Sequence, residues 1–413
     1  AGASASITAR KLGANVTLLE RTDMLVGLGN VGGIMRNNGR FTATEENIFL
    51  GAKELFEITD RFSIHKNINF PGHQHAFLYD VTKIEPEVKK LLISMGVDVR
   101  LKNRAIDVIM EEKYIKGIIL SDGEIIYGDV FIDTTGSTGP MGNCLKYGNG
   151  CAMCILRCPS FGPRVSISQK AGVKDLVGMK KDGSFGAFSG SCKLNKDSLS
   201  PEIRFKLERD GVVILPIPEQ DIQMEKLTKK VCQQYALKEY GENIILLDTG
   251  HAKMMTSFYP LEKLRRIKGL ENARYEDPYS GGIGNSVRYL SIAPRENTMK
   301  VKGVNNLFCG GEKSGLFVGH TEAITTGSLA GHNSVRYILG KELLELPTEL
   351  AVGDLIFYGN NMIQTEEGIK DRYTFAGSTY FKRMLQKGLY TTNSHKIKNR
   401  VESLNLLNIY NKL

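Results

Sequence analysis

The 413 residues are 41% hydrophobic and 24% charged, with a formal net charge of +9. This is ordinary for a globular chain of two or three domains, and it excludes disorder as the main theme. No apolar run reaches the roughly eighteen residues of a membrane span and no signal-peptide series opens the chain, so a cytoplasmic location without membrane contact is expected.

The opening stretch, Ala1-Gly2-Ala3-Ser4-Ala5-Ser6 through Leu19-Glu20-Arg21, reads as a dinucleotide clamp that lacks its first residues. A turn of small residues opens a helix over about 5–12, Gly13 stops it, and Asn15-Val16-Thr17-Leu18-Leu19 is a buried strand ending in an acid. In the G-x-G-x-x-G/A scheme Gly2 is the second glycine, where a missing side chain lets backbone N–H groups reach a pyrophosphate. Ala5 stands for the third, and the first precedes residue 1. Glu20 lies at the spacing of an acid that takes a ribose hydroxyl pair. Taken alone, the stretch also fits any tight strand-to-helix turn of an α/β domain. The segment from Val26 to Met35 holds Gly27, Gly29, Gly32 and Gly33, too many for a stable helix, and reads as a loop against a cofactor or as a surface turn. Residues 45–60 carry apolar side chains at helical spacing. His65, His73 and His75 lack an obvious metal partner set and read as solvated loop histidines.

A helix is expected over Glu85 to Met95, started by Pro86 and stopped by Gly96. Strands follow at 97–101 and 105–110, then a hairpin of 114–120 and 124–127 around Ser121-Asp122-Gly123, and a buried strand at 128–133 that runs into Thr134-Thr135-Gly136. From Ser137 to about Ser291 the composition shifts. This segment holds a helix from Pro201 to Asp210, polar helices around 220–240 and a Gly-rich turn at 280–284. Val304 to Glu312 is a further buried strand ending in Gly310-Gly311-Glu312. Gly319-His320-Thr321-Glu322 then starts a helix to about Leu339 with a face of small residues, Ala323, Gly327, Ala330 and Gly331. Such a face packs on backbone or on a flat ligand. Beyond Pro347 the tail is basic and aromatic in patches, and a solvated helical face is preferred there over an RNA-binding surface.

Four of the seven cysteines, Cys144, Cys151, Cys154 and Cys158, form C-x6-C-x2-C-x3-C-P, which is no secreted disulfide framework in a chain this long. Four thiolates in a Gly-rich loop suit one compact metal centre. A [4Fe–4S] cluster is the first reading, zinc the rival and a redox-active Cys151/Cys154 dithiol the third. Arg157 and Arg164 flank the cluster as anion or acid partners.

The clamp ending at Glu20, the Thr134-Thr135-Gly136 strand end, and Asn306-Leu307-Phe308-Cys309-Gly310-Gly311-Glu312 with the Gly319-His320-Thr321-Glu322-Ala323 helix together resemble FAD-dependent oxidoreductases of the glutathione-reductase-like fold, GidA-like branch. The resemblance implies an α/β fold: an FAD-binding Rossmann-like domain built from 1–140 and 291–345, an inserted α+β substrate domain at 141–290 and a C-terminal basic helical segment at 346–413. It implies that Gly2, Ala3 and Ser4 meet the FAD pyrophosphate, that Glu20, with Arg21 beside it, binds the adenosine ribose, and that the Ala105 backbone touches adenine. Gly32 and Gly33, Thr135 and Gly136, and Gly310, Gly311 and Glu312 complete the cofactor wall. His320 and Thr321 set a helix N-terminus at the flavin pyrimidine edge, where partial positive charge favours an anionic reduced ring. His251, Lys253, Tyr275, Tyr279 and Arg288 are candidates for a flavin-facing pocket. The function expected is electron or hydride transfer through the flavin from a small-molecule redox substrate, with relay to the cysteine-held cluster. An RNA-modifying flavoprotein and a non-catalytic electron-transfer subunit serving a partner protein are the alternatives, and a homo-oligomer is expected.

Overall fold

The computed structural model describes residues 1–136, 161–185, 187–189, 191–230, 232–256, 259–276, 286–288 and 290–413. Two short parallel pairings organise the first layer. Thr17–Glu20 lies beside Asp98–Leu101, with Thr17 opposite Asp98 and Glu20 opposite Leu101. Phe131–Asp133 lies beside Leu307–Cys309, with Asp133 opposite Cys309. Parallel neighbours need a crossover, and here the chain between Asp133 and Leu307 leaves the layer and returns to it.

The opening helix, Gly2–Lys11, buries every side chain from Ala3 to Ala9. It stops where Gly13 adopts φ +87°, a conformation open to glycine. Arg10 in its last turn donates to the carbonyls of Ala14 at 2.6 Å and Met95 at 2.9 Å. This helix lies against the backbone of helix His320–Ile338. A Cβ built on Gly327 would stand 2.2 Å from Ser4 Oγ and 2.5 Å from the Ala1 carbonyl, and one on Gly331 would stand 2.3 Å from the Ala5 carbonyl. At Gly327 and Gly331 the small face of the late helix therefore packs on another helix's backbone.

Several elements match the sequence pattern closely: helix Ile84–Ser94, the meander Ala105–Glu111, Tyr114–Leu120 and Ile125–Tyr127, and helix Pro201–Asp210. The last has Ser200 Oγ accepting from Ile203 N, Pro201 in its first turn and Gly211 at φ +76° beyond its end, as its Ser-Pro start and Gly stop imply. Other expectations need correction. The run over 45–60 is two helices, Gly39–Leu50 and Glu54–Arg61, because Gly51 turns left-handed at φ +102°. The glycine-rich loop contains one helical turn, Gly29–Gly32, and a short strand, Ile34–Met35. The polar stretch 220–240 is mostly 3-10 turns with one short helix, Lys238–Glu242.

The three histidines are not in a solvated loop but on a hairpin, Ser63–Phe70 with His73–Tyr79. His73 is buried with Nδ1 2.9 Å from Asn37 Nδ2, and His65 Nε2 lies 3.1 Å from Asp248. His73 is buried by the strand pairing, which loop-like glycine and proline neighbours concealed, while His65 and His75 are half-buried.

The segment that leaves the layer has its own core. Cys192, Leu194, Leu207, Ile244, Leu246 and Met254 pack between helix Pro201–Asp210 and a four-stranded antiparallel sheet in the order Cys192–Leu194, Ala252–Met254, Asn243–Asp248, Val212–Pro216. A buried cation ties it back: Lys313 Nζ pairs with Asp175 and donates to Ser166 Oγ at 2.7 Å. In the tail, helices Ala351–Met362, Ser378–Gln386 and Ser394–Ser403 share a core with Phe308 and Leu329. Part of the tail's positive charge is used internally, since Arg383 and Lys387 hold buried Asp354 at 2.8 and 2.7 Å. Lys382, Lys396 and Lys398 remain exposed. Among the described residues no helix is long and apolar enough to cross a membrane.

Candidate functional site

Strand ends and helix starts converge on one cleft of about 820 Å³, within the range of cofactor and substrate sites. Ala1, Gly2 and Ala3 line it at the start of the opening helix, where first-turn N–H groups have no intrahelical partner. Glu20 and Arg21 line it at the end of Thr17–Glu20. Glu20 Oε1 is taken by the Thr22 N–H at 2.8 Å and the Thr22 hydroxyl at 2.9 Å, which fixes the carboxylate and leaves Oε2 as the acceptor for a ligand. Arg21 donates to the Gly162 carbonyl.

Ala105, at the start of its strand, lines the same cleft, as do Thr135, Gly136, Gly310, Gly311 and Glu312. Thr135 is held by Asp133, whose Oδ1 accepts from its hydroxyl at 2.7 Å and its N–H at 3.1 Å. Arg164 donates to the Thr135 carbonyl at 3.0 Å and also lines the cleft. Gly310 lies close against helix His320–Ile338, where a Cβ would come within 3.2 Å of the Gly327 backbone. Gly32 and His320 face each other on the opposite wall, with a Gly32 Cβ falling 1.8 Å from the His320 ring.

Three of the expected contacts do not line the cleft. Ser4 Oγ bonds back to the Ala1 carbonyl at 2.9 Å on the helix-packing side. Gly33 backs onto Thr249, and Thr321 is fully buried behind His320. Of the residues proposed for a flavin-facing pocket, Lys253 lines the cleft and donates to the Val31 carbonyl at 2.5 Å. His251 lies outside it beside Glu276, and the Tyr275 hydroxyl is spent on the Tyr259 carbonyl at 2.7 Å in the sheet core. Cys144, Cys151, Cys154, Cys158, Arg157, Tyr279 and the Arg288 side chain lie outside the described residues. Among the described residues no group of three His, Cys, Asp or Glu side chains is assembled for a metal.

Arg40, Lys230, Cys232, Gln234, Tyr235 and Met255 also line the cleft and are not recognisable from local motifs. Arg40, at the start of helix Gly39–Leu50, donates to the Val318 carbonyl at 2.9 Å and pairs with buried Glu322 at 3.3 Å. Glu322 in turn accepts from Phe375 N at 2.8 Å and the Thr374 hydroxyl at 2.7 Å. This network fixes the N-terminus of helix His320–Ile338 at the cleft.

Burial, reinforced by the Arg40 charge, pushes the His320 and His73 imidazoles down to about 3. Burial with Arg336 nearby takes His332 to about 4. These three rings fold neutral, while in the unfolded chain they take up protons near pH 6.5. Their stability contribution is therefore complete above that pH and is lost as pH falls toward 4. Glu46 opposes them: burial raises its carboxyl to about 7, so its protonation relieves strain over the same interval. At roughly 2 kcal/mol lost per histidine and a similar gain at Glu46, stability should fall by about 3 to 4 kcal/mol between pH 7 and 5. Urea midpoints at the two pH values test this, and an unchanged midpoint contradicts it.

The family model described as "Glucose inhibited division protein A" matches residues 1–255 and 249–342. The tRNA uridine 5-carboxymethylaminomethyl modification enzyme MnmG of Chlorobaculum tepidum is 41% identical over 96 residues, 22% of this chain and 14% of that protein. The methylenetetrahydrofolate–tRNA-(uracil-5-)-methyltransferase TrmFO of Anoxybacillus flavithermus is 35% identical over 100 residues, 24% of this chain and 22% of that protein. The matched stretches thus span less than a quarter of these relatives' lengths. Aquifex aeolicus GidA, in its form II crystal, superposes with a TM-score of 0.63 at 15% identity, covering 97% of this chain and 74% of that one, which shows a shared fold. With a family model matched over both sides of the cleft, the chain belongs to the glucose inhibited division protein A family and has its glutathione-reductase-type, Rossmann-like α/β fold.

Proposed function

We propose that this chain is an FAD-dependent enzyme that modifies a uridine of tRNA at C5. The observation that carries this reading is the family match, which includes the clamp and the Gly310-Gly311-Glu312 strand end, combined with uridine-modifying relatives of both named kinds. It places RNA modification ahead of the general redox reaction that the sequence alone suggested. The exposed lysines of the tail, Lys382, Lys396 and Lys398, suit a phosphate backbone. In this reading FAD rests on 1–140 and 291–345, the uridine is met by 141–290, and 346–413 faces RNA.

The residues present fit FAD. First-turn N–H groups of the opening helix suit a diphosphate. Glu20 Oε2 suits a ribose hydroxyl pair, and Gly310 and Gly311 give bare backbone at a strand end. His320, neutral at working pH, is the first residue of a helix whose N-terminal dipole favours negative charge at the pyrimidine edge. FAD supplies hydride chemistry when bound; the protein supplies position and field.

Glu20→Gln should weaken FAD binding by about tenfold, the effect of replacing a charged acceptor by a neutral one. Flavin fluorescence titration reads this directly, and an unchanged affinity would remove Glu20 from the ribose site. The activity itself is tested by incubating FAD-loaded protein with an unmodified tRNA transcript, methylenetetrahydrofolate and a nicotinamide reductant, followed by nucleoside mass spectrometry. A mass gain on uridine supports the reading. No gain, together with tRNA binding that lacks a steep salt dependence, overturns it.

A second reading keeps electron relay to a metal centre, favoured by the C-x6-C-x2-C-x3-C-P spacing of Cys144 to Cys158. The absorption spectrum of anaerobically purified protein decides it. A broad band near ~400 nm bleached by dithionite supports a [4Fe–4S] cluster, and flavin bands alone with stoichiometric zinc exclude one.

A further inference from the structure

The cleft wall between Val26 and Gly32 is held from outside. Its one helical turn, Gly29–Gly32, closes through Gly29 N to the Val26 carbonyl at 2.8 Å and Gly32 N to the Leu28 carbonyl at 3.0 Å. A single turn with Gly27, Gly29, Gly32 and Gly33 in and around it repays little of the entropy lost in ordering it. Four successive carbonyls of this wall are met by side chains from distant parts of the chain. His320 Nε2 lies 3.3 Å from the Leu28 oxygen, and the Tyr79 hydroxyl donates to Gly29 at 2.8 Å. Lys193 Nζ donates to the Asn30 carbonyl at 3.2 Å and Lys253 Nζ to the Val31 carbonyl at 2.5 Å.

Both lysines belong to the four-stranded sheet of the segment that leaves the layer, and they stand directly opposite each other on its strands Cys192–Leu194 and Ala252–Met254. Like charges so placed destabilise a sheet, and Lys253 is buried besides. What the pair provides is a fork, two ammonium groups that reach consecutive carbonyls of a turn whose Leu28, Gly29, Val31 and Gly32 line the cleft. We infer that Lys193 and Lys253 are positioning residues for the FAD site, which tie the conformation of this cleft wall to the seat of the inserted sheet. A cofactor that binds best to the clamped wall must, by linkage, tighten the clamp in return. The inference rests on the proposed binding of FAD in this cleft.

The test uses the full chain as wild type, Lys193→Met and the double variant Lys193→Met/Lys253→Met, which keep the apolar stems and remove the ammonium groups. Lys193 is half-buried and is not among the residues that line the cleft, so a change there reaches the cofactor through the turn. Stripped protein is titrated with FAD, and amide hydrogen exchange is followed with and without FAD. In the wild type FAD should slow exchange at Gly29–Gly32 and also in the strands Cys192–Leu194 and Ala252–Met254. In Lys193→Met, FAD affinity should fall at least about fivefold and exchange at Gly29–Gly32 should quicken. In the double variant FAD should no longer slow the two strands; if that variant does not fold, Lys193→Met carries the same reading. Arg383→Met, which loosens buried Asp354 in the tail, serves as the control for lost stability and should keep FAD affinity within about twofold of wild type. Lys193→Met with unchanged FAD affinity overturns the inference and leaves the function standing, as does an Arg383→Met variant that loses as much affinity. A wild type that binds no FAD overturns the function as well.

Discussion

Arg40→Met should lower the unfolding free energy by about 3 to 5 kcal/mol, the range seen when one partner of a buried ion pair is removed. The variant leaves Glu322 without exposure and without its cation. It also leaves the Val318 carbonyl and the Thr374 hydroxyl without the donor they share at 2.9 and 3.2 Å. For a domain with ordinary stability this is a large fraction of the total. Because Glu322 sits in the first turn of helix His320–Ile338, the damage reaches the cleft wall, and FAD affinity should fall in parallel. Arg40→Met combined with Glu322→Gln should cost less than the two single changes added together, by at least about 1 kcal/mol. Urea denaturation of the four proteins gives the cycle. A single-variant loss under about 1 kcal/mol would show that the pair is peripheral to the fold.

Gly327→Ala and Gly331→Ala should destabilise, reversing the sign that such changes have in most helices. Replacing glycine by alanine in a helix interior ordinarily stabilises by about 1 kcal/mol. Here the new methyl group would fall 2.5 Å from the Ala1 carbonyl at Gly327 and 2.3 Å from the Ala5 carbonyl at Gly331. Backbone must move to admit either one, and overpacking of this kind costs about 1 to 3 kcal/mol. The part that moves is the opening helix, whose N-terminus lines the cleft. FAD affinity should therefore drop even where the thermal midpoint drops only slightly. Midpoints and flavin titrations on the two variants check this, and a raised midpoint for both would show that the helices are not in backbone contact.

What could be read in the sequence follows from where the information sits. Gly13, Gly96, Gly123 and Gly211 each punctuate an element locally, and each occupies a left-handed backbone position. The elements they end fall close to where the pattern put them. The strand ends at Glu20, Gly136 and Glu312 were legible for the same reason, since small residues and an acid after an apolar run are adjacent in the chain. Arg40 was not, because its acid is 282 positions away. His73 was not, because its burial depends on a hairpin partner and on the Gln234 carbonyl at 3.2 Å. Gly51 marks the other kind of error: its breaking signal was present, and apolar periodicity on both sides outweighed it. Gln234 stands in a polar stretch that gives no hint of burial.

The pairing of Phe131–Asp133 with Leu307–Cys309 has a consequence for biosynthesis. The cleft's floor is completed only by a strand that leaves the ribosome well after its neighbour, and the opening helix gains its helical partner later still. Until then the small apolar face of the first segment is uncovered, a state in which nascent α/β layers are prone to stray pairing. A cofactor that needs both sides of the layer cannot act as an early template for this chain. It can bind only once synthesis has passed the His320 helix, so loading with FAD would be among the last events of its folding.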